Sequence, residues 1–117
     1  MSKLLLVDDD SEVLELIGEF VVSFGYQVKL ASNGVEALAI VDDHGDLELL
    51  ITDVMMPGLD GFTLARLAKI RQPLLKIIYM SGYSAQLRDV GETFGPLLPK
   101  PFRAATLQRA MSEALSS

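Results

Sequence analysis

The stretch LLLVDDDSE, Leu4 to Glu12, sets the reading of the whole chain. An apolar run of strand length stops in three consecutive aspartates, and a pattern of helical period follows at once. Val13, Leu14, Ile17, Phe20, Val21 and Phe24 mark one face of a helix that Gly25 ends. The stretch therefore reads as a βα unit whose strand delivers carboxylates to its own carboxyl end. Two carboxylates about 4 Å apart repel by roughly 4 kcal/mol at an effective dielectric of about 20, so a cation is expected beside them.

The same punctuation recurs along the chain. Strand-length apolar runs are predicted at Lys3–Val7, Gln27–Ala31, Glu48–Thr52, Leu75–Met80 and Leu97–Pro99, each bounded by Gly, Pro, Asn or Asp. Val35, Leu38 and Val41 predict the buried face of a second helix. Phe62, Ala65 and Ala68 predict a third, stopped before Pro73. A weakly patterned helix is expected over Ala85–Thr93, and a last one over Ala104–Leu115 with Leu107, Ala110, Met111 and Ala114 on one face. Strict alternation implies an α/β architecture, a parallel sheet with helices on both faces, and right-handed crossovers make it doubly wound.

At 117 residues the chain fits one domain, and half of its residues are apolar, enough for a core without staples. The absence of cysteine excludes a disulfide framework, a thiolate metal site and a cysteine nucleophile, and an intracellular setting is the natural reading. Lys3 leads into Leu4–Val7 and then acid, which is neither a signal peptide nor a membrane span, so a cytoplasmic protein without membrane association is expected. Ten basic against sixteen acidic residues give a net charge of −6 with no Lys/Arg cluster, so direct nucleic-acid binding is not expected.

In a doubly wound sheet, polar ligands collect at the carboxyl ends of the strands. Here those ends carry Asp8-Asp9-Asp10, Asp53, Ser81 and Lys100-Pro101. Asp8, Asp9 and Asp53 supply hard oxygen ligands of the kind Mg²⁺ prefers, with Mn²⁺ able to serve in its place, and too few further acids stand nearby to cage Ca²⁺. Mg²⁺ keeps positions open for phosphate oxygens, so the site invites a phosphoryl ligand. Lys100 offers a compact positive charge and Ser81 a hydroxyl, which frees one carboxylate to act as nucleophile and form an acyl phosphate. Asp53 is the choice, since it ends the central strand beside the turn-rich DVMMPGLDG.

With these residues in view, the chain resembles a response-regulator receiver domain of two-component signalling over essentially its whole length. The matching residues are VDD with Asp8 and Asp9, the DxxMPxxDG pattern from Asp53 through Met56, Pro57, Asp60 and Gly61, MSG with Ser81, and KPF from Lys100. The resemblance implies a flavodoxin-like (βα)5 fold with strand order 2-1-3-4-5 and a single receiver domain over residues 1–117. It implies that Asp53 accepts a phosphoryl group from phosphohistidine on a histidine kinase or histidine phosphotransferase. Mg²⁺ would sit between Asp9, Asp53 and the Met55 backbone carbonyl, with Asp8 acting largely through water. Lys100 and Ser81 would contact the phosphoryl oxygens, and the Lys100–Pro101 bond would be cis. Such a protein is a switch rather than an enzyme, catalysing only its own phosphorylation and dephosphorylation. Its downstream protein partner would read the last two helices and strand five.

The chain departs from the family pattern at Leu97, where many receivers carry Tyr or Phe. The loop after strand four, with Gly82 and Tyr83, is therefore expected to carry more of the switch. Met55 and Tyr83 stand at the positions that tune hydrolysis in the family. Neither offers an acid or amide to orient water, so a long-lived phosphoryl group is expected.

Plainer roles account for other residues. Asp10 or Ser11 reads as the cap of the first helix. His44, the single histidine, lies in the polar loop DDHGD and reads as a surface residue, not a phosphohistidine. Three other functions compete. A haloacid-dehalogenase-type phosphatase would use the Asp-x-Asp after the first strand, but it wants Thr or Val where Glu12 stands and an acidic pair after its lysine, where Glu113 is the one acid. A pseudo-receiver docking module would have no reason to cluster repelling charges, and an FMN carrier would need a Ser/Thr- and Gly-rich phosphate loop after the first strand. The chain is expected to be either a single-domain regulator or a receiver belonging to a larger regulator or hybrid kinase.

Overall fold

Leu4, Leu5, Leu6 and Val7 are all fully buried because β1 (Lys3–Val7) runs through the interior of a sheet covered on both faces. The computed structural model describes residues 2–82 and 93–116. Strands β2 (Gln27–Ala31), β3 (Leu47–Asp53), β4 (Lys76–Ser81) and β5 (Leu97–Pro99) join β1 in one parallel sheet of order β2-β1-β3-β4-β5. This is the flavodoxin-like order expected.

Side chains alternate across the sheet and so build two cores. Leu5, Val7, Leu50, Ile77 and Tyr79 face α2 (Gly34–Asp43) and α3 (Gly61–Arg71), whose Ala37, Val41, Leu64, Ala65 and Ala68 close that side. Leu4, Leu6, Leu49, Ile51, Ile78 and Met80 face α1 (Ser11–Ser23) and α4 (Ala104–Leu115) through Leu14, Ile17, Val21, Leu107 and Met111. Among the described residues no helix is long and apolar enough to cross a membrane.

Local chemistry sets the ends of the helices. Asp10 caps α1 by accepting the N–H groups of Glu12 and Val13 at 3.0 and 3.3 Å, and Asn33 and Asp60 do the same for α2 and α3. Gly25 takes the left-handed conformation, φ 95°, just past α1.

Three sequence expectations need correction or limits. Val35, assigned to the buried face of α2, is 75% exposed, while Gly34 and Ala37 are buried instead. At Gly34 a Cβ would come within 2.7 Å of Leu59, so α2 packs through its smallest residues and the large apolar side chain falls outside. β3 also reaches Leu47 and Asp53, and β4 runs from Lys76 to Ser81, because the ladder pairs backbone groups whatever the polarity of the side chain. The helix expected over Ala85–Thr93 falls outside the described residues, Thr93 apart, and so does Tyr83.

Candidate functional site

β1, β3, β4 and β5 all point their carboxyl ends to one rim, so Asp8, Asp9, Asp53, Ser81 and Lys100 gather there. The Lys100 N–H donates to the Ser81 carbonyl at 2.8 Å, which ties the end of β5 to β4. The next peptide bond, Lys100–Pro101, is cis.

Asp8 is fully buried and doubly engaged. Its Oδ1 accepts the Asp10 N–H at 2.9 Å, and its Oδ2 accepts from Lys100 Nζ at 2.7 Å. Lys100 Nζ lies 3.4 Å from Asp53 Oδ1, so one ammonium serves both carboxylates. Oxygens of Asp8, Asp9 and Asp53 all lie within 4.8 Å of one another, and Asp9 is exposed toward solvent.

Lys100 thus brings one positive charge to the aspartate cluster. Burial pushes the Asp53 carboxyl up to about 6; Lys100 opposes the shift, while Asp8 and Asp9 add to it. For Lys100, burial works to lower the ammonium pKa, but the hydrogen bond and charge of Asp8, with Asp53 behind them, outweigh it and hold the group above the ordinary lysine value.

The donor set fits a hard divalent cation. It contains oxygen ligands only, and an octahedral Mg²⁺ with ligands at about 2.1 Å places opposite oxygens about 4.2 Å apart, a span close to the one found here. Met55, on the loop after Asp53, is 51% exposed at this rim. A small apolar groove of about 140 Å³, lined by Val13, Leu16, Ile17, Phe20, Pro101 and Phe102, opens beside Lys100.

Leu97 is half-buried and pairs in register with Tyr79, which is itself buried in the core facing α2 and α3. The Tyr79 ring packs against Phe62 with centroids 4.8 Å apart, and its hydroxyl oxygen accepts the Phe94 N–H at 3.3 Å. Sequence reading passed over Tyr79, and also Thr52, whose hydroxyl donates to the Asp53 carbonyl. The available signal was the same for both: a polar group inside a strand-length apolar run.

Residues 4–112 match the response regulator receiver domain family. The chain is 37% identical over 116 residues to sensor kinase CckA of Brucella abortus (strain 2308), a match covering 95% of this chain and 12% of that protein. It is 34% identical to the response regulator receiver protein CpdR of the same strain, with 98% of each chain covered. It spans less than half of the transcriptional regulatory proteins CpxR that it also matches. Among solved structures, the response regulator protein TrrA of Thermotoga maritima, in complex with Mg(2+)-BeF, superposes with a TM-score of 0.90 at 29% identity, covering 98% of this chain and 100% of that one. The aspartate run of β1, the strand order and the rim that collects Asp53, Ser81 and Lys100 have a common explanation: the chain belongs to the response regulator receiver domain family.

Proposed function

We propose that the chain, as a single receiver domain over residues 1–117, accepts a phosphoryl group onto Asp53 from a phosphohistidine of a histidine kinase or histidine phosphotransferase. The observation that carries this reading is the placement of Asp53 at the rim, with Asp8 and Asp9 oxygens within 4.8 Å and Lys100 Nζ at 3.4 Å. Its pKa of about 6 leaves the carboxylate ionised at neutral pH. One carboxylate oxygen attacks phosphorus, the new O–P bond forms as the N–P bond breaks, and the electron pair returns to the imidazole nitrogen.

Asp9, Asp53 and the Met55 carbonyl would hold Mg²⁺, or Mn²⁺ in its place, with Asp8 acting through water. When bound, the cation supplies charge neutralisation for the phosphoryl oxygens. The Mg(2+)-BeF carried by TrrA supports a divalent cation at this rim. Lys100 and Ser81 engage the phosphoryl oxygens, Lys100 as a point charge and Ser81 through its hydroxyl. The apolar groove beside Lys100 gives a donor helix a place to rest against α1. The phosphorylated state then changes affinity for a downstream protein through β5, α4 and the segment 85–93 that the sequence reads as a helix.

Intact mass after incubation with acetyl phosphate and Mg²⁺ tests the reading. Gain of one phosphoryl group that is lost in Asp53→Asn and in EDTA is expected. Absence of the gain, with acetyl phosphate and with a phosphohistidine donor alike, would overturn it in favour of a docking module.

A further inference from the structure

Asp53 is the last residue of β3, and the peptide unit that follows it is held at both ends. Its N–H, that of Val54, donates to the Met80 carbonyl at 2.9 Å, and its C=O, that of Asp53, accepts from Thr52 Oγ1 at 2.9 Å. Gly61 covers the same carbonyl from the α3 side. A Cβ at Gly61 would collide with the Asp53 oxygen and approach Val54 Cα to 2.9 Å, so α3 packs directly on this peptide unit. The Gly61 N–H in turn donates to the Val54 carbonyl at 2.9 Å. Among the described residues, buried side chains with polar groups include Asp8, Thr52, Asp53, Ser81 and Tyr79, and Thr52 is the one beside the Asp53 backbone that the phosphoryl chemistry leaves without a role.

We propose that Thr52 is a positioning residue: its buried hydroxyl, with Gly61 opposite, locks the Asp53–Val54 peptide plane and thereby aims the Met55 carbonyl relative to the Asp53 carboxylate. The proposal rests on the reading of Asp53 as phosphoacceptor. Rotation about the Asp53 Cα–C bond would swing this plane and carry Met55 with it, and hydrogen bonds at both ends of one peptide unit oppose that rotation. Backbone displacement of about 1 Å at a reacting site is enough to lower a rate by roughly 100-fold, so a lock at this bond has a chemical effect beyond stability.

The test compares Thr52→Val, which keeps the shape and removes the donor, with Thr52→Ser, which keeps the donor. Initial phosphorylation rates from acetyl phosphate are measured across Mg²⁺ concentrations beside the wild type, with the melting temperature recorded for each. Thr52→Val is expected to need about fivefold more Mg²⁺ for its half-maximal rate and to lose about tenfold in rate, while Thr52→Ser stays within about twofold of wild type. A merely structural hydroxyl would lower the melting temperature and leave the Mg²⁺ dependence unmoved. A folded Thr52→Val with wild-type rate and Mg²⁺ dependence would overturn the proposal. Should Thr52→Val not fold, Thr52→Cys, a weak donor, takes its place and is expected between the two; wild-type behaviour there would overturn the proposal equally. A wild type that takes no phosphoryl group from either donor class refutes the phosphoacceptor reading itself, and the role of Thr52 falls with it.

Discussion

Lys100 Nζ lies 2.7 Å from Asp8 Oδ2 and 3.4 Å from Asp53 Oδ1, so the ammonium is held first by the fully buried carboxylate and only second by the proposed phosphoacceptor. Asp8 and Lys100 are 92 residues apart, and β3 and β4 lie between their strands. Under the proposed function, the looser hold on Asp53 lets the lysine turn to a phosphoryl oxygen while Asp8 keeps it at the rim.

Removing that ammonium exposes what Asp8 costs. Lys100→Met leaves a buried carboxylate with one backbone N–H as its described partner, and a loss of about 3 kcal/mol is expected by urea denaturation. The Asp8→Asn/Lys100→Met pair should recover most of the loss, since the fully buried side chain at position 8 is then neutral and Asp53 had the longer, weaker contact with Lys100. A single variant as stable as wild type would contradict the pairing.

Asp53 is expected to work against stability when no metal ion is bound. Its folded pKa of about 6 exceeds the ordinary 3.8, so between these values the native state binds more protons and stability falls as pH rises from about 4 through 6. At pH 8 in EDTA, Asp53→Asn is expected to be more stable than wild type by roughly 1–3 kcal/mol, with the difference vanishing toward pH 4. Added Mg²⁺ should raise the melting temperature of the wild type more than that of the variant. A variant less stable than wild type at pH 8 would show that the carboxylate contributes favourably.

Tyr79 gives an independent check at the alkaline end. Burial raises its phenol above the ordinary value of 10.0 despite the Phe94 N–H and the charge of Arg66. Its contribution is therefore fully present below pH 10 and is lost as pH rises through the folded pKa. Tyr79→Phe should lose about 1 kcal/mol at neutral pH with the hydrogen bond to Phe94, and its unfolding above pH 10 should be shallower than that of wild type. Parallel alkaline curves would show that another group governs the transition.

Under the proposed function, Met55 is expected to bear on the lifetime of the phosphoryl group. It is half-exposed at the rim, and its side chain offers no acid or amide to orient a water. Wild-type phosphoprotein should persist well beyond seconds, and Met55→Glu should shorten its lifetime by roughly tenfold or more. Radiolabel loss from purified phosphoprotein measures both. A wild-type lifetime of seconds would remove the basis for this expectation.

Much of this molecule was legible before folding. The bounds of β1, β2, β5 and α4 follow from apolar runs and period alone, and Asp10 was readable as a cap from its place before a helical face. The error at Val35 is of a particular kind. Period-counting weighs large apolar residues, whereas α2 approaches Leu59 of the β3–α3 loop so closely that only Gly34 fits the contact, and Ala37 rather than Val35 is buried.

What the chain by itself determined is the list of chemical groups and the strand ends on which they stand. Alternation and period are local properties that side chains impose on their own backbone. Only tertiary structure decided which groups touch. The Asp8–Lys100 bond, the close approach of Gly61 to the Asp53 carbonyl, and Tyr79 packed opposite Leu97 depend on strand order and on how closely α3 settles on the sheet. Those distances are set by packing between segments remote in sequence, and no local pattern records them.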